Sequence, residues 1–466
     1  MNKILRRWQL LMIVFLVVLG AGLRMWKYEY FPIAGETQDE VAWTILGSSL
    51  LQTGEPVSWS YFSGYTILET VTFQHNSFQL VKPALDHPPL FSFLPGIVQT
   101  VTGHHWKEIP SIKLVRFPLV LLGMLNLGLF TWWIMRITQN PVQRIASIAL
   151  AATAPNIVFL SRLVVSENLL VTWILLILLL QSTALKGWHK WMWMLVHVAA
   201  PMTKISGLAI CAGSIAASWY TNNKVALKWA LLGTGGGIIL LLGYVSLFDF
   251  GLFWQVQTQQ AARNTGLLTL FSTWWWANTL VEGIFADVWN QVGLFSLGLL
   301  AFFGLPTAKE KRSEKSLILF LFFAQLAFYL LSVGETTVHG WYRIVFWPLW
   351  VYSLGWVVAR AWEEKSAWWL SFSWLLMSAQ VRLGWVFLLG KTAFEYQGMA
   401  NKIWLLGAGL GLSTLFLPKK WQSMTQKQLW IILGCIVLLA HLAAVLTIQH
   451  ELFWQDALYL EQGIQP

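Results

Sequence analysis

Asp39 and Glu40 stand side by side shortly after the first long apolar run, and Asp86-His87-Pro88-Pro89 closes the same polar stretch. A carboxylate at the centre of a bilayer costs roughly 2.5–3.5 kcal/mol, so an apolar chain keeps such groups where water or a substrate meets them. Further polar groups recur along the chain. Ser161-Arg162 and Ser166-Glu167 lie between two apolar runs, and Glu335 to Arg343 reads ETTVHGWYR. In the latter, His339 and Arg343 lie four apart, on one face of a helix. Arg116, Lys204 and Arg263 add cationic groups at other span ends. Each has a plainer reading. Asp39, Glu40 and Asp86 suit helix starts, where carboxylates meet the positive end of the dipole. Glu167 suits a solvated turn, and an arginine at a span end can snorkel to the headgroups.

Carboxylates beside cationic groups at a membrane surface fit one chemistry well, the transfer of a sugar from a polyprenyl phosphate. An acceptor hydroxyl must lose its proton to a positioned carboxylate as it attacks. The sugar passes through an oxocarbenium-like state that nearby negative charge favours. The departing lipid phosphate needs Arg, Lys or His donors, of which a bidentate arginine is the strongest. The lipid tail needs a groove between spans. Asp39 is the candidate base, with Glu40 as its catalytic or supporting partner and Asp86 and Glu167 as acceptor or loop support. His87, Arg116, Lys204, Arg263, His339 and Arg343 are candidates for the phosphate.

The elements that must position these residues are membrane helices. Hydrophobic residues make up 56% of the 466 and charged ones only 11%, with a mean hydropathy of +0.58, which excludes a soluble globular protein. Many of the 31 tryptophans sit beside apolar run ends, as the headgroup zone favours. A net charge of +10 does not imply nucleic acid, because the basic residues are dispersed through short loops. Cys211 and Cys435 fall inside apolar runs, outside any metal-ligand spacing, and read as packing residues. Lys3, Arg6 and Arg7 before the run from Leu10 to Leu23, with no small-x-small cleavage site after it, read as an uncleaved signal anchor.

Apolar spans are expected near 8–26, 114–135, 145–161, 168–185, 190–203, 206–221, 229–248, 290–306, 316–333, 344–360, 367–389, 402–417 and 429–448. Leu90–Val101, short and containing Pro95, is read as lying along the surface. With a cytoplasmic N-terminus, these thirteen crossings put eighteen of the 31 basic residues in short cytoplasmic segments, and only Glu310, Glu314, Glu363 and Glu364 of the 21 acidic residues. That asymmetry is what the positive-inside rule demands. Counting Leu90–Val101 as a span would reverse it. The expectation is an all-α polytopic membrane protein of about 13 transmembrane helices, with surface-lying helices in a long first outer loop. It forms one integral-membrane domain over 1–466, with a catalytic outer loop at 27–113 and a second outer loop at 249–289. Gly233–Gly237 lies within a span and reads as close helix packing, not a phosphate loop. There is no Walker motif, no HExxH and no nucleophile elbow.

At these residues the chain resembles the polytopic glycosyltransferases of the protein O-mannosyltransferase and aminoarabinose-transferase superfamily (glycosyltransferase family 39-like). The matching features are Asp39-Glu40 after the first span, Asp86-His87-Pro88-Pro89-Leu90, Arg116-Phe117-Pro118, Ser161-Arg162 with Glu167, and Thr203-Lys204. They cover about the first 210 residues and again 335–350; over the last hundred the likeness is hydropathy alone. The resemblance implies a GT-C type fold, Asp39 as the catalytic base, Glu167 as an organiser of the acceptor or outer loop, and cationic residues on the lipid phosphate. It implies a hexosyl- or pentosyltransferase, mannosyltransferase-like, in the plasma membrane, with the active site outside. Two departures stand out. The family's usual lysine before Pro-Pro is His87 here, which makes phosphate contact pH-sensitive at that point. Glu167 stands where aspartate is commoner.

The partners expected are a polyprenyl-phosphate sugar donor, a glycan, lipid or protein acceptor, and the bilayer, with no nucleic acid. No motif requires a cofactor, and assistance by a divalent metal stays open. Two other functions compete. A flippase or transporter of lipid-linked saccharide would place charges near the midplane and show internal repeats, neither of which is seen. An O-antigen-type polymerase or ligase offers no reason for Asp39-Glu40 and the Pro-Pro corner.

Overall fold

The computed structural model describes residues 3–32, 39–73, 76–108, 111–181, 185–262, 312–332, 340–364, 366–371, 374 and 405–446. Two features of the sequence set the helices. Long apolar runs give α1 (Lys3–Met25), α4 (Ile112–Ile137) and α10 (Lys224–Phe248). Proline, glycine and the polar turn at 161–166 break the runs between them into α5 (Pro141–Thr153), α6 (Pro155–Leu160), α7 (Glu167–Gln181), α8 (Trp188–Thr203) and α9 (Gly207–Tyr220). Pro155 cannot continue the helix before it, so the predicted span 145–161 splits into α5 and α6. Asn140 caps α5 by accepting from the Val142 and Gln143 amides. After α11 (Phe250–Ala261), the described helices are Arg312–Ser332, Trp347–Glu364, Leu405–Phe416 and Lys419–Leu446.

Five described helices are long and apolar enough to cross a membrane: Arg7–Met25, Ile112–Ile137, Lys224–Phe248, Ile344–Glu364 and Lys419–Leu446. Glu167–Gln181, Gly207–Tyr220 and Leu405–Phe416 are apolar but shorter. The predicted span 290–306 and most of 367–389 lie outside the described residues. α10 turns Ile239, Leu240 and Leu247 outward, the face a lipid-covered helix presents. Cys211 is buried, as expected of a packing residue, but Cys435 is exposed.

The segment 27–113 is not all helical. α2 (Asp39–Thr53) and α3 (Phe93–Val101) flank a three-stranded antiparallel sheet of β1 (Ser58–Trp59), β2 (Ile67–Phe73) and β3 (Asn76–Val81), in the order β1-β3-β2. The chain is mostly helical, as expected, and this small sheet is a local departure from the all-α reading. The reason is the period-two pattern in β3, where Phe78 and Leu80 are buried while Ser77 and Gln79 are exposed. Phe78 and Leu80 pack with Val41 and Ile45 of α2, and Ser58 donates to the Ala42 carbonyl at 2.8 Å, so the sheet is fastened to α2. α2 and α3 cross at two glycines. A Cβ on Gly47 would lie 1.9 Å from the Ser92 carbonyl oxygen, and one on Gly96 would lie 2.4 Å from the Gly47 carbonyl carbon. Only bare backbone allows that approach.

Candidate functional site

Three buried arginines hold the scaffold beneath the site. Arg24 of α1 donates to the carbonyls of Ala151 and Ala152, and Arg162 to those of Leu23 and Phe31. The third is Arg116, in the first turns of α4. Its Nε donates to Glu40 Oε1 at 2.8 Å and its Nη2 to Glu40 Oε2 at 2.7 Å. Its Nη1 donates to the carbonyls of Tyr28 and Pro32. Both side chains are 0% exposed. The Val164 amide also donates to Glu40 Oε1, at 3.2 Å. Glu40 therefore ties the start of α2 to α4, to the chain leaving α1 and to the 161–166 turn. A bidentate arginine is the strongest of such clamps.

Asp39 is the first residue of α2 and is half-buried. One turn on, Trp43 lies on the same helical face. Its indole is buried and stacks on His87, with ring centroids 4.6 Å apart and planes 18° from parallel. Phe91 meets the same indole edge-on. The Pro88-Pro89 corner is anchored where the Leu90 amide donates to the Met202 carbonyl at 3.1 Å, at the end of α8. That end is itself fixed by Trp173, whose indole donates to Thr203 Oγ1 at 2.9 Å. Lys204 then leaves the helix in an extended conformation. Its Nζ donates to Glu167 Oε1 at 2.6 Å and lies 4.6 Å from the centre of the Tyr342 ring. Glu167 opens α7 and also accepts from Ser166 Oγ.

Burial, and then the charge of Lys204, push the His87 imidazole down to about 3. His87 is thus a neutral ring at working pH. Trp43 stacks on the ring and Lys204 stands near it, and both disfavour its protonated form.

Asp86 forms a separate corner. Tyr65 donates a short hydrogen bond to Oδ1, and Ser60 donates to Oδ2 at 2.8 Å. The Leu85 amide donates to the Tyr65 hydroxyl oxygen at 2.9 Å. Gln257 and Gln260 of α11 both donate to the Asp86 carbonyl at 3.3 Å. Burial pushes the Asp86 carboxyl up to about 6, against the opposing pull of the Tyr65 and Ser60 hydrogen bonds. Burial and the neighbouring Asp86 charge also raise the Tyr65 phenol.

Lys204 thus pairs with Glu167 and acts on His87, and His87 stacks on Trp43, one helical turn after Asp39. Glu40 and Arg116, expected as catalytic and phosphate-binding, stand instead in a buried clamp whose donors and acceptors are engaged. Asp86 is held by hydroxyls, not by cations. Arg263 and His339 lie outside the described residues. Arg343 lies in a 3-10 turn, Gly340–Phe346, and its side chain is likewise outside them. The sequence reading passed over Trp43, Tyr65, Ser60 and Tyr342. Trp43 was findable as the residue four after Asp39, and Tyr342 as the neighbour of Arg343. Tyr65 and Ser60 carry no local signal. Among the described residues, no group of three or more His, Cys, Asp or Glu side chains converges as a metal would require.

No family model matches the chain, and no curated protein matches it in sequence. Solved structures do. ArnT from Cupriavidus metallidurans bound to undecaprenyl phosphate aligns with 94% of this chain and 77% of its own, at 12% identity and a TM-score of 0.52. Archaeal oligosaccharyltransferase AglB from Archaeoglobus fulgidus, in complex with an inhibitory peptide and a dolichol-phosphate, aligns with all of this chain and 59% of its own, at 11% identity and a TM-score of 0.48. The first likeness is one of fold. The chain shares its overall fold with that ArnT structure.

Proposed function

We propose that the chain is a membrane glycosyltransferase that moves a sugar from a polyprenyl-phosphate donor to an acceptor hydroxyl, with inversion at the anomeric carbon. One observation carries the proposal. Asp39 opens α2 one helical turn before Trp43, whose indole stacks on His87, and Lys204 acts electrostatically on that imidazole, which supports a carboxylate and a cationic group serving one site. The shared fold with ArnT, whose structure holds undecaprenyl phosphate, supports a lipid-linked donor. In the step proposed, Asp39 takes the proton of the acceptor hydroxyl as its oxygen bonds to the anomeric carbon. The bond from that carbon to the phosphate oxygen breaks on the opposite side, and its electron pair leaves with the lipid phosphate. Lys204 meets that charge, with Arg343, His339 and Arg263 as further candidates. Glu167 fixes the lysine, while Glu40 and Arg116 hold the helix that carries the base.

In this reading the protein is a multi-pass plasma-membrane protein of thirteen crossings with a cytoplasmic N-terminus. Residues 27–113 and 249–289 form its outer loops, and the site faces outward. The charge asymmetry of the loops supports that orientation. The test uses purified protein in detergent with a panel of polyprenyl-phosphate sugars, scored by donor loss and by release of free polyprenyl phosphate. Turnover without any membrane gradient separates an enzyme from a carrier. Asp39→Asn should abolish turnover with thermal stability unchanged; near-normal turnover sinks the assignment of the base.

A further inference from the structure

The end of the molecule where α8 and α10 begin carries charge that the transfer step does not use. The two helices start side by side there. The Trp193 indole donates to the Ala226 carbonyl at 3.1 Å, which sets the starts level. Lys186 and Lys190 stand at the start of α8, and Lys224 and Lys228 share one face in the first turns of α10. None of the four forms an ion pair among the described residues. The chain has no acidic residue between Glu167 and Asp249 to neutralise them. Basic groups at other helix ends are engaged: Arg144 donates to the Thr138 and Met135 carbonyls, and Arg360 pairs with Glu364.

Aromatic rings mark the depth of this end and fix one of its cations. Trp188, Trp191 and Trp219 are exposed, as indoles are at the level of lipid headgroups. Trp191 meets Trp229 of α10 edge-on, with ring centroids 4.8 Å apart. The Lys190 ammonium lies 5.5 Å from the centre of the Trp229 ring and 5.9 Å from that of Trp191. An ammonium resting on ring faces is held in place and keeps N–H donors for an anion. No side chain caps the start of α8. Gly187 before it, at a φ of 53°, has open space where a Cβ would stand. The first amides of α8 therefore add to the positive field of the lysines.

An acidic phospholipid complements this arrangement. Its phosphate lies at headgroup depth, within the reach of the lysines, and its acyl chains run along the spans. Leu231 and Leu232 of α10 are exposed and offer those chains an apolar face. A zwitterionic lipid brings a cation of its own that opposes the lysines. A soluble anion makes no use of the exposed indoles and leucines. We infer that the adjoining starts of α8 and α10 form a binding site for the headgroup of an acidic phospholipid. Lys190 is its fixed cation, with Lys186, Lys224 and Lys228 around it. In the thirteen-crossing reading this end lies in the cytoplasmic leaflet, whose surface is negative. The site does not depend on the transfer reading.

Native mass spectrometry of the full chain in neutral detergent tests it, with phosphatidylglycerol or phosphatidylcholine of the same acyl chains added. Wild type should bind one phosphatidylglycerol roughly fivefold or more tightly than phosphatidylcholine. Lys190→Gln combined with Lys228→Gln should weaken phosphatidylglycerol roughly twenty-fivefold, at about fivefold per lysine, and leave phosphatidylcholine unchanged. In thermal unfolding, phosphatidylglycerol should raise the Tm of wild type and not that of the variant. Lys419→Gln combined with Lys420→Gln, exposed at the start of the Lys419–Leu446 helix, controls for loop charge in general. Equal binding of the two lipids by wild type, or an equal loss in that control, overturns the site. Should the first variant unfold early without lipid, Lys186→Gln with Lys224→Gln, both exposed, takes its place. A wild-type preference for phosphatidylglycerol in a folded variant also overturns the site.

Discussion

Glu40→Ala separates the two neighbouring carboxylates most sharply. The substitution takes the carboxylate away from the Arg116 guanidinium, which is 0% exposed and among the described residues then keeps the Tyr28 and Pro32 carbonyls as acceptors, and deprives the Val164 amide of its partner. Removing one member of a buried ion pair costs about 3–5 kcal/mol. An orphaned buried amide adds about 1–3 kcal/mol. The loss is therefore at least about 4 kcal/mol, a large part of the roughly 5–15 kcal/mol that a typical fold holds in reserve. Asp39→Asn, half-buried and nearly the same shape, should shift stability by under about 1 kcal/mol. The assay is thermal unfolding of both variants in detergent at one fixed scan rate, followed by tryptophan fluorescence, alongside donor turnover. Glu40→Ala should unfold at a markedly lower temperature, and its residual activity should track its folded fraction. Pairing Glu40→Leu with Arg116→Met should restore much of the stability, because apolar replacement of both partners removes the unpaired charge. If Glu40→Ala unfolds at the wild-type temperature and yet transfers nothing, Glu40 acts in the chemistry and the clamp argument is wrong.

Other consequences follow from the same contacts. The Asp86 carboxyl is raised to about 6, so folding favours its protonated form. Its contribution to stability is present below about pH 4 and is lost as pH rises through about 6; the stability difference between wild type and Asp86→Asn should fall across that window. His87 is depressed to about 3, so its contribution is present above about 6.5 and is lost as pH falls from there towards 3. A Tm series for His87→Gln against wild type should show that opposite slope, and the turnover profile should lack a break near 6.5 belonging to His87. His87→Lys sets a second cation near Lys204 and should destabilise the corner, read as a lower Tm that rises again with added salt. Gly47→Ala drives a methyl into the Ser92 carbonyl and should abolish the monodisperse folded peak on size exclusion. Gly128→Ala, with no atom within 4 Å of its new Cβ, should leave that peak intact.

Hydropathy alone marked where most of the described helices would lie, because lipid and core both demand long apolar runs. It placed α1, α4, α7, α8, α9 and α10 close to their observed positions. Of the polar residues that such a chain retains, Lys204 pairs with Glu167 and acts on His87, and Glu40 pairs with Arg116. The sheet escaped because β2 and β3 are short and their alternation lies inside a loop that otherwise reads as polar and irregular. The division of labour within Asp39-Glu40 escaped for a different reason. Two adjacent carboxylates at a helix start look alike in one dimension. They part only when α4 crosses α2 and Arg116 meets one of them, leaving it buried and paired. Likewise, nothing local tells a histidine before Pro-Pro that Trp43 will cover it and Lys204 will stand near. Burial and long-range partners, which exist only after the chain closes, decided that Glu40 and Arg116 serve as scaffold while Lys204 pairs with Glu167.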